Sequence, residues 1–216
     1  LTRPQPPSAT LRSVKTFWNV ASDKGLRVGV VNWWATWPAD AVNGWVVTDR
    51  AAFKLEKGGT PDREVHPAEA CEALRPLLDP AEPERARRLD RFHLAAARAL
   101  RGDAPPDLEV LYLPGLDILT MQQLGEAPAS DLAGLDAKLA GVREQYRFVD
   151  GLIAEAVAGL GAGDVLLLVG DPGRLAREGS PPAEGLLVLS GGPVAPGDLG
   201  AVSGRDIAPT VLHLLG

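Results

Sequence analysis

The stretch DLEVLYLPGLD at positions 107–117 is the most informative about the fold, and a second stretch, DVLLLVGD at positions 164–171, repeats its design. Each is a short apolar run bounded by turn residues, and each ends in an aspartate, Asp117 and Asp171 respectively. Runs of this kind are typical of strands buried on both faces of a parallel sheet. Because ligands bind beyond the carboxyl ends of such strands, we predict that the two aspartates lie near one another at that edge.

The rest of the chain alternates apolar runs with segments in which apolar residues recur at helical spacing. The predicted strands include Arg27–Asn32, Leu108–Leu113, Val165–Val169 and Leu186–Leu189, and the predicted helices include about Ser13 to Lys24, Glu84 to Arg101 and Leu135 to Leu160. Residues 51–65 are polar and are expected to form a mobile loop. The alternation predicts a three-layer α/β/α sandwich with a mainly parallel central sheet that contains all four strands. This single domain would span residues 13–216, after an irregular arm at residues 1–12.

Composition excludes several classes of protein. With 216 residues, 45% of them hydrophobic and 23% charged, the chain suits one soluble globular domain. A net charge of -6 argues against a nucleic-acid surface, and no apolar stretch is long enough to span a membrane. One cysteine, Cys71, and no signal segment favour a cytoplasmic protein, although nothing indicates its oligomeric state. The only methionine is Met121, so we expect the chain to be incomplete at its amino terminus.

Five segments together resemble a known family. They are GLRVGVVNWWATWPAD at 25–40, LYLPGLD at 111–117, YRFVDGLI at 146–153, GDVLLLVGD at 163–171 and GRDIAPTVLHLLG at 204–216. In their order and approximate spacing they resemble the type I phosphodiesterase/nucleotide pyrophosphatase-like branch of the alkaline phosphatase superfamily. The resemblance implies hydrolysis of phosphate mono- or diesters by two metal ions, usually zinc, and a threonine or serine nucleophile. The metals would clamp the phosphoryl oxygens and activate the nucleophile.

The resemblance also shows which residues are missing. It places Asp117 and Asp171 at metal-ligand positions, but Met121 and Pro172 stand where the family has histidines, and residues 179–184 lack a third histidine. Zinc prefers tetrahedral nitrogen, sulfur and oxygen ligands, so two separate carboxylates should hold it poorly. We therefore predict no catalytic residue, no cofactor or a weakly bound divalent metal, and a catalytically degenerate phosphoesterase-fold protein.

Two alternatives stay open. An upstream segment could complete an active metal-dependent phosphodiesterase or nucleotide pyrophosphatase, whose partner would be a phosphate-ester small molecule. Otherwise the chain could be an α/β domain that binds a small molecule through Trp33, Trp34 and Trp37, which follow a predicted strand. These tryptophans could form a recognition wall or fold over the sheet end as a secondary core. Asp117 and Asp171 could likewise simply cap turns after strands.

The remaining candidates for chemistry are interpreted as structural. His66, His93 and His213 are far apart in the sequence, and no pair of them has the spacing of metal ligands. Cys71 lies among alanines in a helical pattern and is expected to be a small packed residue.

Overall fold

The computed structural model describes residues 7–124, 132–171 and 184–216, and within these ranges the chain is an α/β protein. The α-helices are α1 Phe17–Asp23, α2 Ala51–Glu56, α3 Cys71–Leu74, α4 Arg85–Arg101, α5 Gly115–Leu124, α6 Leu132–Ala158 and α7 Ile207–Leu215. The strands are β1 Val28–Val31, β2 Gly44–Val47, β3 Val65–His66, β4 Leu108–Leu111, β5 Leu166–Gly170 and β6 Leu186–Ser190. In the predicted arm, Ala9–Leu11 forms a short 3-10 helix.

The chain divides into two compact units, each described here by itself. The first unit runs to Gly115 and includes Val202–Gly216, and the second is Leu116–Ala201. Whether residues 13–216 act as one domain stays a prediction. None of the helices that the structure describes is long and apolar enough to cross a membrane.

A four-stranded sheet, with the order β3-β2-β1-β4, forms the centre of the first unit. β1 pairs in parallel with both β2 and β4, and β3 pairs antiparallel with β2. All four residues of β1 are buried, as expected for a central strand without alternation of polar and apolar residues. The prediction of an α/β protein with a mostly parallel sheet is therefore confirmed for this unit.

The prediction that all four apolar runs share this sheet is wrong. β5 and β6 pair with each other, antiparallel, in a separate two-stranded sheet, with Leu168 opposite Val188. The apolar sequences of these strands indicate burial, but they contain nothing that specifies a partner or a direction, because neither register nor orientation is encoded in a uniform run. The three-layer sandwich thus stays a prediction, because β5 and β6 do not join the four-stranded sheet.

One face of the four-stranded sheet is covered by α1. Val28 and Val30 of β1 form a buried cluster with Trp18 and Ala21 of α1, and Leu215 of α7 packs against it. The amino end of α1 has a capping box, in which Thr16 and Asn19 satisfy one another's backbone N–H groups. The helix thus begins after Thr16 and not at Ser13, because Thr16 is the residue whose hydroxyl reaches a free N–H of the first turn.

The second unit buries little apolar surface in the part that the structure describes. Among its described residues, Leu119 of α5 is the one buried apolar side chain. Tyr146 of α6 is 60% exposed, and Val169, Leu186 and Val188 of the two-stranded sheet are 45, 56 and 42% exposed. A two-stranded sheet is at best marginally stable by itself. The first unit therefore contains the better-packed core and the elements that position the candidate site.

Candidate functional site

The first unit contains a point at which the order of its parallel strands reverses. From β1 the chain passes to β2 and β3 on one side, and it then returns to form β4 on the other side of β1. The segments that follow β1 and β4 therefore begin side by side at the carboxyl ends of these parallel strands, and the space beyond these ends is here called the crevice. In open α/β sheets this crevice is where ligands bind.

Asn32 fixes the end of β1 between its two neighbours. Its backbone N–H donates to the carbonyl of Val47 at 2.7 Å, and its side-chain amide donates to the carbonyl of Tyr112 at 3.0 Å. Its φ of 62° lies in the left-handed region, which asparagine tolerates better than most residues. Since Asn32 is 6% exposed and bonds to the ends of both β2 and β4, it holds the floor of the crevice rigid.

Asp49, just after β2, holds the loop that follows Asn32. Its carboxylate accepts a hydrogen bond from the backbone N–H of Ala35 at 3.3 Å, and its own backbone N–H donates to the hydroxyl oxygen of Thr36 at 3.2 Å. Thr36 is 2% exposed, and its hydroxyl also lies 2.6 Å from the carbonyl of Trp33, to which it donates. These bonds stabilise the left-handed conformation of Ala35, whose φ is 57°, and so fix the direction of the intervening Trp34.

The structure separates the three tryptophans of this loop. Trp33 packs edge-to-face against Phe17 and Trp18, with ring centroids 6.4 and 6.0 Å apart, as part of the core. Trp37 donates from its indole nitrogen to Glu64 at 3.1 Å and is therefore held within the protein. Trp34 is 55% exposed. The predicted recognition wall of three tryptophans thus reduces to one exposed indole.

Trp34 and Tyr112 together line the crevice. They come from the loops that follow β1 and β4, and their ring centroids are 6.1 Å apart with an angle of 61° between the planes. Because Asn32 also bonds to the carbonyl of Tyr112, the two aromatic residues are tied to the same rigid floor. The sequence did not point to Tyr112, since its role depends on β4 lying beside β1.

The first turns of helix α4 bring two buried polar residues, Asp90 and His93, into this region. Arg101, at its end, donates to Glu109 of β4, while Asp90, near its start, accepts from the backbone N–H of Gly115 at 2.9 Å. α4 therefore runs antiparallel to β4, and its first turns lie at the carboxyl edge of the sheet. Asp90 is fully buried and holds the segment that follows Tyr112.

His93 lies one turn after Asp90, on the same face of α4. It is 2% exposed, and among the described residues neither of its ring nitrogens has a hydrogen-bond partner. Burial lowers the pKa of His93 from 6.5 to about 3, so the ring is neutral at physiological pH. A buried histidine on α4 agrees with its interpretation as structural, although the sequence did not indicate that its nitrogens lack partners.

The predicted metal ligands lie in the second unit and form no cluster in the part of the chain that the structure describes. Asp117 is in the first turn of α5, where a carboxylate is favoured by the helix dipole, and Asp171 directly follows β5. Met121 lies one turn after Asp117 on the same face of α5, whereas Pro172 falls outside the described residues. The proximity of Asp117 and Asp171 stays a prediction.

No group of three or more histidine, cysteine, aspartate or glutamate side chains that could hold a metal ion occurs within residues 7–124, 132–171 and 184–216. His66 instead makes a 3.1 Å hydrogen bond to the carbonyl of Val42, and His213 lies on the exposed side of α7. The described residues therefore do not fit the two-zinc centre that the family resemblance implies.

Comparison with known proteins adds no constraint: no family model, curated protein or solved structure matches this chain. The crevice between β1 and β4 is accordingly the candidate site, on geometry alone.

Proposed function

We propose that this chain is a phosphoesterase-like α/β protein that does not hydrolyse phosphate esters and instead binds a small molecule in the crevice between β1 and β4. The observation that carries the proposal is the position of the exposed Trp34 against the half-buried Tyr112, at the strand-order reversal of a mostly parallel sheet. The loop is also preorganised for binding, because hydrogen bonds of the Asn32 and Asp49 side chains fix its conformation in the absence of a ligand.

The sequence supports the absence of hydrolysis. Two-metal catalysis needs a complete set of ligands to fix both ions. The resemblance puts Met121 and Pro172 at histidine positions, and a thioether or a proline ring cannot replace an imidazole as a zinc ligand. The resemblance also implies a three-layer sandwich, but binding in the crevice requires only the four-stranded sheet.

The hydrolytic part of the proposal is tested with an aryl phosphate diester. We expect no turnover above background when zinc, manganese and magnesium are supplied in turn to the purified chain. An Asp171→Ala variant is the matched control, and the metal content of both proteins is measured. Metal-dependent turnover that the Asp171→Ala variant loses, or two equivalents of bound zinc, would instead establish the active phosphodiesterase.

The binding part is tested by NMR with a library of small fragments. We expect ligands to shift the indole N–H resonance of Trp34, and Trp34→Ala to abolish their binding. Phe53→Ala is the control, because Phe53 is also an aromatic residue about half exposed, at 52%, but lies on α2 outside the crevice. If no fragment shifts the Trp34 resonance, or if shifts persist elsewhere in Trp34→Ala, the crevice is not the binding site.

A further inference from the structure

Asn43 and Gly44 form a chemically labile pair at the start of β2. The backbone nitrogen of a glycine is not shielded by a Cβ, so it can attack the side-chain amide carbon of a preceding asparagine. A C–N bond then closes a succinimide ring, the amide nitrogen leaves as ammonia with the glycine N–H proton, and water opens the ring to aspartate or isoaspartate. The other two asparagines, Asn19 and Asn32, precede valine and tryptophan, so only Asn43 has this context.

The fold requires a glycine at position 44. The φ of Gly44 is 133°, a backbone conformation that residues with a side chain rarely adopt. Gly44 also lies opposite Val28 in the parallel pairing of β1 with β2, and a Cβ at Gly44 would collide with the carbonyl oxygen of Val28. A larger residue therefore cannot replace Gly44 and remove the labile pair without moving β2 away from β1.

Asn43 is exposed, yet three hydrogen bonds hold it in place. Its side-chain Nδ2 donates to the carbonyl of Gly25 at 2.9 Å, and its backbone N–H donates to the hydroxyl of Ser22 at 2.8 Å. Its carbonyl accepts from the backbone N–H of Val28 at 2.8 Å. These bonds tie the turn after α1 to the start of β2. The succinimide ring can close only when the side chain turns towards its own backbone, so the hydrogen bond to Gly25 opposes the reaction in the folded chain.

We propose that Asn43 is a site of spontaneous deamidation that the folded chain protects, and that it reacts when the turn after α1 detaches from β2. The product has a carboxylate in place of the amide. A carboxylate has no proton to donate to the carbonyl of Gly25 and repels its oxygen, and isoaspartate also lengthens the backbone before β2. Each chain that reacts is therefore left with a weaker connection between α1 and β2.

The test follows deamidation by peptide mass spectrometry after incubation of the full chain in mildly alkaline buffer, with and without guanidinium chloride. We expect the peptide that contains Asn43 to react at least roughly tenfold more slowly in the folded chain, because local opening must precede the reaction. Asn19 and Asn32 are internal controls and should stay intact in both solutions. Ser22→Ala removes the bond to the backbone N–H of Asn43 and should speed the reaction in buffer but not in guanidinium chloride.

The contrary outcomes are distinct. Equal rates in the two solutions would overturn the protection, and an intact Asn43 in guanidinium chloride would overturn the site itself. A Ser22→Ala variant that reacts in buffer at the wild-type rate would show that these bonds are not what protects Asn43. The Asn43→Asp variant has the product carboxylate from the start and should unfold at a lower urea concentration than the wild type. An unchanged midpoint would overturn the predicted weakening of the turn.

Discussion

Lowering the pH should destabilise this protein in part through the buried side chain of His93. Its pKa is 6.5 in an unfolded chain and about 3 in the folded protein, because burial disfavours the charged ring. Because the pKa of His93 is lower in the folded protein, the unfolded chain binds the proton first as the pH falls. The full contribution to stability is therefore present above pH 6.5 and is lost progressively between pH 6.5 and pH 3. At pH 5 the loss should be ~2 kcal/mol, and near pH 3 it approaches roughly 5 kcal/mol.

The assay is urea unfolding at pH 7.5, 6 and 5, with the wild type and a His93→Leu variant measured side by side. Carboxylates contribute to the pH dependence of both proteins, so the difference between the two isolates His93. His93→Leu should be at least as stable as the wild type at pH 7.5, because it removes two buried nitrogens that have no partner among the described residues. It should then lose ~2 kcal/mol less than the wild type on going to pH 5.

His213→Gln is the matched control for replacing a histidine, since His213 is exposed on α7. Parallel curves for the wild type and His93→Leu would refute the reasoning. That result would mean that His93 is solvated or hydrogen-bonded, or that it is charged in the folded protein.

Three further predictions concern packing, capping and reactivity. Gly29→Ala should cost about 1–3 kcal/mol in urea unfolding, because a Cβ at Gly29 would collide with the indole ring of Trp45 on β2; an unchanged midpoint would show that the ring can move away. Thr16→Ala should cost ~1 kcal/mol by removing the hydroxyl that accepts from the N–H of Asn19, whereas Thr16→Ser should retain most of it. Cys71 should react with iodoacetamide at least roughly tenfold more slowly in the folded protein than in urea, because burial raises its thiol pKa; equal rates would contradict its burial.

The sequence by itself determined the elements whose signals are local. The apolar runs at β1 and β4 and the helical periodicity of α4 were predicted close to their observed bounds, because burial on both faces and a 3.6-residue period each leave a direct trace in sequence. The parallel arrangement of β1 and β4 followed from alternation with helices. The prediction of a loop throughout residues 51–65 was wrong, since α2 and the start of β3 lie there. These elements are too short for their buried residues to show a clear period in the sequence.

Only the tertiary structure decided which strands pair and which side chains meet. β5 and β6 have sequences as apolar as that of β1, yet they form a separate antiparallel pair, because pairing depends on partners that are distant in sequence. The same holds at the candidate site. Trp33, Trp34 and Trp37 cannot be distinguished by composition. In the folded chain Trp33 packs in the core, Trp37 is bonded to Glu64, and Trp34 is exposed in a loop that the side chains of Asn32 and Asp49 hold through backbone groups. A side chain's exposure is a property of the packed chain, and local sequence therefore cannot specify it.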